Sequence, residues 1–117
     1  MTPTVELRTR LRKLLGEVIP AGGSDADTRF LNSEIDQLLS DADSLYRAAS
    51  TGWTIKAAQL QAELGQIEEY SVGQERYRVV NLQTALRSAL DMAERYAQLA
   101  ASSIGSMIIG VAPPEVL

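Results

Sequence analysis

The sequence predicts an all-α protein: a small bundle of about four helices with a long central helix, an extended loop or loose hairpin at 66–80, and an irregular C-terminal tail. Three observations predict it. Apolar residues recur every three or four positions through most of the first hundred residues, the period of a helix with one buried face. Aromatic residues make up only 5% of the chain, so aliphatic and alanine packing must form the core. At 117 residues the chain suits one domain, burying about two-thirds of its unfolded surface. Residues 1–102 are expected to form that helical domain and residues 103–117 an extended tail.

The first helix should start at Thr2-Pro3, a cap followed by a proline at the first helical position. Leu7, Leu11, Leu14, Leu15 and Val18 form its apolar stripe, leaving Arg8, Arg12 and Lys13 solvated or facing a partner. Gly16 weakens its end, and Ile19-Pro20-Ala21-Gly22-Gly23 is a break. Ser24 to Phe30 reads as a polar, acidic connector. Asn32 or Ser33 should cap a short second helix, with Asp36 completing a capping-box pattern after Ser33. Ile35, Leu38, Leu39 and Ala42 form its buried face, with Phe30 and Leu31 folding back onto it.

The central helix spans Asp43 to Leu64, with Asp43 as cap and Gly65 at its end. Its stripe is Leu45, Ala49, Trp53, Ala57, Leu60 and Leu64, and Trp53 is the expected core anchor against the first and last helices. The alternative for Trp53 is a recognition aromatic in a surface groove. Gln66 to Val80 mixes β-branched, aromatic and charged residues around Gly73, which predicts the hairpin. Such a ribbon needs support from helices or another subunit. Asn81 should cap the last helix, ending near Ser102. Leu82, Leu86, Ala89, Leu90, Ala93, Ala97 and Ala100 form one stripe, while Met92, Tyr96 and Leu99 widen it towards a second neighbour. The tail carries Ile104, Met107, Ile108, Ile109 and Val111 before Pro113-Pro114, too apolar for a solvated terminus; it either covers the core or docks on a partner.

Composition narrows the chemistry. The chain has neither cysteine nor histidine, which removes thiolate chemistry and disulfides and restricts any metal site to oxygen ligands. The net charge is −4, unevenly placed: residues 1–20 carry +2 and residues 21–46 carry −5. The acidic balance argues against tight nonspecific nucleic-acid binding. The basic start and acidic second quarter can complement one another, within a subunit or between copies. No apolar run approaches the ~20 residues of a membrane span, and no secretory signal is visible. A soluble, intracellular protein without membrane partners is therefore expected.

Paired carboxylates are the only catalytic material. Asp25/Asp27 and Asp41/Asp43 have the spacing that opens a calcium loop, but Tyr46 and Gly52 stand where glycine and a bidentate glutamate are needed after Asp41. The ligands also fail after Asp25. Lys56 would have to be deeply buried to act as a base, and its expected place is a snorkelling surface position. Gly22-Gly23-Ser24 lacks the lysine and preceding strand of a phosphate-binding loop. Arg76, Tyr77 and Arg78 beside Tyr70 have a strand-binding mix, offset by Glu68, Glu69 and Glu75. No enzyme and no cofactor is expected.

The order of pieces resembles the head–tail connector (adaptor, or head-completion) proteins of long-tailed bacteriophages. The resemblance rests on Leu7-Arg8, Leu14-Leu15-Gly16-Glu17, and Ile19-Pro20-Ala21-Gly22-Gly23-Ser24-Asp25-Ala26-Asp27-Thr28-Arg29-Phe30. It continues with Ser33-Glu34-Ile35-Asp36-Gln37-Leu38-Leu39, Tyr46-Arg47-Ala48-Ala49, and Gly52-Trp53-Thr54-Ile55-Lys56-Ala57-Ala58. Tyr70-Ser71-Val72-Gly73 and Ala89-Leu90-Asp91-Met92-Ala93-Glu94-Arg95-Tyr96 complete it, so it spans residues 5–100. The last helix is often entered through a serine-rich loop in such proteins, where this chain has Gln74 to Val80.

The resemblance implies a structural virion protein of the phage neck, held in the host cytoplasm before assembly. It implies a homo-oligomeric ring, commonly twelvefold, that joins the portal protein to the next neck or tail protein. Genomic DNA would pass through its channel without sequence-specific binding. A ring of head-to-tail contacts needs two unlike, complementary faces. Candidate subunit or partner contacts are Arg8 and Arg12 on the basic side and Glu34 and Asp36 on the acidic side. Tyr70, Arg76, Tyr77, Arg78, Met92, Tyr96, Leu99 and the apolar tail residues are the others. The alternative is a small cytoplasmic helical regulatory or interaction module that binds a single protein partner.

Overall fold

The structure, a computed structural model, describes the backbone of residues 1–67 and 74–109 and the side chains of residues 1–67 and 76–102. Among these residues the only regular elements are helices, as the apolar periodicity predicts: α1 (Val5–Leu15), a short 3-10 turn (Asp25–Asp27), α2 (Asn32–Asp41), α3 (Leu45–Ile67) and α4 (Gln74–Ile109). Helix α3 and the much longer α4 pair along their length, and α1 and α2 pack on the N-terminal half of α3.

Helix α1 starts later than Thr2-Pro3 suggests. Thr4 is the cap, its hydroxyl accepting the Leu7 N–H. Gly16 ends the helix at φ 68°, a left-handed conformation that costs glycine little. There the N–H groups of Gly16 and Glu17 close on the carbonyls of Lys13 and Arg12. Val18 therefore lies beyond the helix and is exposed. A turn at Pro20–Gly23, with Gly22 at φ 75°, reverses the chain. The acidic connector caps itself, since the Asp27 carboxylate accepts the Ser24 N–H.

The N-terminal cap of α2 is Leu31, and Glu34 rather than Asp36 reaches back to accept its N–H. Asp36 is thereby free to point at α1. Ile35, Leu38, Leu39 and Ala42 are all buried, and Phe30 folds into the same core, but Leu31 remains exposed. At the far end of α2 the Met1 ammonium donates to the carbonyls of Leu39 and Ala42, where the helix dipole favours positive charge.

Ser44, not Asp43, caps α3 by accepting the Arg47 N–H, and the helix runs through Gly65 to Ile67. The hairpin expected at 66–80 is not what its described parts form. Gln66 and Ile67 close α3, Gln74 to Val80 open α4, and residues 68–73 lie outside the described residues. Asn81 is thus an interior residue of α4. The physical reason is pairing: helix propensities differ by a few tenths of a kcal/mol between Val or Tyr and the better formers, whereas a lone two-stranded ribbon has nothing to pack on. Helix α4 also continues past the expected end at Ser102 to Ile109, and residues 110–117 lie outside the described residues.

Two apolar clusters result. The larger holds Leu11, Leu15, Phe30, Ile35, Leu38, Leu39, Ala42, Ala48 and Ala49. The smaller holds Ala57, Leu60 and Ala89, flanked by Leu82 and Leu86. Trp53 packs against both. Small residues set the α3–α4 spacing: Ala57, Ala89 and Ala93 are buried, and the Ser50 hydroxyl donates to the Ala93 carbonyl at 2.9 Å. Leu90, counted in the inner stripe by periodicity, faces outward and is 54% exposed.

Candidate functional site

Polar chemistry concentrates where α1 ends and the connector crosses to α2. Arg12 is only 4% exposed, contrary to its expected place off the stripe. Its guanidinium donates to the Glu17 carbonyl (3.0 Å), Thr28 Oγ1 (2.9 Å), the Phe30 carbonyl (2.8 Å) and Asn32 Oδ1 (3.0 Å). Burial lowers the Arg12 pKa, opposed by the charges of Asp25 and Glu17. A guanidinium stays protonated all the same. Its Nε is buried without a partner among the described residues. The sixteen residues between the helices carry carbonyls that no ladder satisfies, and one forked cation supplies two of them, those of Glu17 and Phe30, together with the Thr28 hydroxyl. That demand was the available signal: a long loop with few side-chain donors of its own.

Lys56 is likewise buried rather than snorkelling, at 8% exposure. Its ammonium lies 2.8 Å from Glu17 Oε2, donates to the Leu15 carbonyl at 2.7 Å, and sits 4.1 Å from the centre of the Trp53 ring. Glu17 Oε1 accepts the Arg29 N–H. The Trp53 indole donates to the Leu14 carbonyl at 3.0 Å. Each last carbonyl of α1 that needs a partner thus finds one on α3. This network holds elements together; every polar atom of Lys56 and Glu17 that it uses is committed to a protein partner.

The other predicted contact residues are scattered. Arg8 pairs with Asp36 inside the chain, in two parallel hydrogen bonds of 3.0 and 2.9 Å, which raises the Arg8 pKa. Arg29 pairs with Glu63 at 2.8 Å, and that hydrogen bond holds the Glu63 carboxyl below its ordinary range. Tyr96 turns inward and stacks on Tyr46, centroids 5.9 Å apart. Met92 is half-buried and Leu99 exposed. Arg76, Tyr77 and Arg78 are exposed on the first turns of α4, Tyr77 the most so at 77%. Ile104, Met107, Ile108 and Ile109 belong to the backbone of α4, while their side chains, Tyr70 and Val111 lie outside the described residues. The structure therefore brings Arg8 to Asp36 and Arg12 close to the start of α2, but it does not gather the remainder.

The acidic pairs go to capping and surface roles. Asp25 accepts the Asn32 N–H, and Asp41 accepts the Gln37 amide. Among the described residues no three carboxylates group as metal ligands. No helix there is long and apolar enough to cross a membrane.

Two surface clefts lie against α3, apart from two on the outer face of α4 lined by Gln83, Leu86, Arg87 and Leu90 and by Arg95, Gln98, Leu99 and Ser102; periodicity pointed to neither of the α3 clefts. One, of about 530 Å³, lies between Arg10, Lys13 and Leu14 of α1 and Ser44, Leu45 and Tyr46 at the start of α3. The other, of about 260 Å³, lies between α2 and α3, where Glu34 and Asp41 flank Phe30, Leu38 and Ile55. Arg10 and Lys13 form no salt bridge among the described residues, and neither do Glu34 and Asp41. No family model matches this chain, and neither a curated protein nor a solved structure matches it.

Proposed function

We propose that this chain is a structural protein of the neck of a long-tailed bacteriophage. In this role it forms a ring that joins the portal to the next neck or tail protein and extends the DNA channel. The observation that carries the proposal is the run of matched pieces over residues 5–100. Two further features support it. The polar groups that could serve chemistry, Arg12, Lys56 and Glu17, are consumed in holding helices together. Charges without an ion-pair partner among the described residues line surface clefts at Arg10, Lys13, Glu34 and Asp41, which suits a protein that works by contact.

Purified protein mixed with purified portal rings, viewed by negative-stain microscopy, tests the proposal. Added density forming a closed collar on the portal is the expected result. Portals that stay bare at micromolar protein, together with capture of one cellular protein, would instead support a helical module with a single partner.

A further inference from the structure

The two clefts lie on opposite sides of α3. Tyr46 borders the first and Ile55 the second, nine residues apart in the sequence, which is two and a half helical turns at ~3.6 residues per turn. Helix α1 walls one cleft and α2 the other. The first presents two cations, Arg10 and Lys13, beside Tyr46, a large side chain 37% exposed. The second presents two carboxylates, Glu34 and Asp41, beside Ile55, 38% exposed. Charge and apolar surface are thus matched in kind across the molecule. Neither set of charges has an ion-pair partner within the chain among the described residues.

The charges that the sequence offers most directly for contact between copies, Arg8 and Asp36, neutralise each other inside one chain, and Arg12 is buried. That leaves Arg10 and Lys13 on the basic side. We infer that the occupant of each cleft is a second copy of this chain: the Arg10/Lys13 cleft of one copy receives the Glu34/Asp41 edge of the next. Because the clefts are distinct and face opposite ways, the contact is heterologous and repeats from copy to copy. Opposite charges at the edge set orientation and speed encounter, and the apolar side chains between them supply the area that excludes water. The inference rests on the ring reading and specifies which surfaces meet.

The test uses charge reversal with rescue by mixing. Arg10→Glu combined with Lys13→Glu makes both clefts of a copy acidic. Asp41→Lys adds a cation to the acidic cleft, at a helix C-terminus where positive charge is favoured; Glu34 is left alone because it caps α2. Circular dichroism checks that both variants stay helical. In sedimentation velocity at low salt, wild type should associate as its concentration rises and dissociate in 0.5 M salt, a concentration chosen for a Debye length of about 4 Å. Each variant alone should associate at least about tenfold more weakly. The equimolar mixture should recover association, since each variant's intact cleft then meets a complement. Carbodiimide coupling of wild type should join Lys13 to Asp41 or Glu34 of another copy.

Wild type that stays monomeric throughout, variants that associate as wild type does, or a mixture without recovery each overturn the contact. The phage-neck proposal fails separately, when portals bind no wild-type protein. Collars formed equally by wild type and by the Arg10→Glu/Lys13→Glu variant would keep that proposal and reject this contact.

Discussion

Replacing Arg12 with methionine removes a cation that is 4% exposed while keeping most of its aliphatic volume. Four acceptors lose a donor: the Glu17 and Phe30 carbonyls, Thr28 Oγ1 and Asn32 Oδ1. A hydrogen bond from a charged donor contributes about 1.5–3 kcal/mol in isolation, but bonds sharing one group do not add. Methionine also removes the cost of burying a charge, which offsets part of the loss. The Arg12–Phe30 bond is buried; the Phe30 carbonyl keeps the Thr28 hydroxyl as a second donor, which limits the loss there, whereas Asn32 Oδ1 and the Glu17 carbonyl lose the Arg12 fork outright. The expected net destabilisation is therefore about 2–4 kcal/mol, a large share of the ~5–15 kcal/mol of a typical domain. Arg8→Met is the control, because its ion pair is about one-third exposed on both sides, and such pairs contribute less than about 1 kcal/mol. Urea unfolding followed by Trp53 fluorescence and by circular dichroism measures both, Trp53 being the single tryptophan and touching both apolar clusters. If Arg12→Met costs less than about 1 kcal/mol, or no more than Arg8→Met, the buried-fork account is refuted.

Two glycines of α3 should respond in opposite directions. A Cβ at Gly65 meets nothing within 4 Å, so Gly65→Ala should stabilise by up to about 1 kcal/mol. A Cβ at Gly52 falls 2.5 Å from the fully buried Leu15, so Gly52→Ala should destabilise by about 1–2 kcal/mol despite the better propensity; thermal melts that move both variants the same way would contradict this. The Arg29–Glu63 pair should add pH dependence. Glu63 has a lowered pKa when folded, so its contribution is full above the ordinary carboxylate range and is lost as pH falls through the folded value. Glu63→Gln should lose less than about 1 kcal/mol at pH 7, and urea titrations should show it converging with wild type as the pH falls below the ordinary carboxylate range.

What the sequence by itself determined is the helical class and the identity of most inward faces. Leu11, Leu15, Ile35, Leu38, Leu39, Ala49, Ala57, Leu60 and Ala89 were legible because burial repeats with the helix period, and each lies in a core. Boundaries were less legible. Thr4, Leu31 and Ser44 cap where Thr2, Asn32 or Ser33, and Asp43 were expected: Thr4 and Ser44 cap as well as their polar neighbours, and at Leu31 the Glu34 carboxylate satisfies the N–H in place of a capping side chain. At Gln74–Val80 local β-propensity lost to the first turns of a helix whose following residues, Leu82, Leu86 and Ala89, pack beside Ala57 and Leu60 of α3. The polar residues were decided by tertiary structure alone. Arg12 and Lys56 sit on the sequence like surface cations, yet the unpaired carbonyls of a long connector and of the α1 terminus draw them inside. Arg8 and Asp36 become one another's partner only once α1 and α2 lie side by side. Arg10 and Lys13 on one side of α3, and Glu34 and Asp41 on the other, are cleft charges that form no ion pair among the described residues. A helical period records which way a residue points; whether a charge meets a partner depends on which helix arrives beside it.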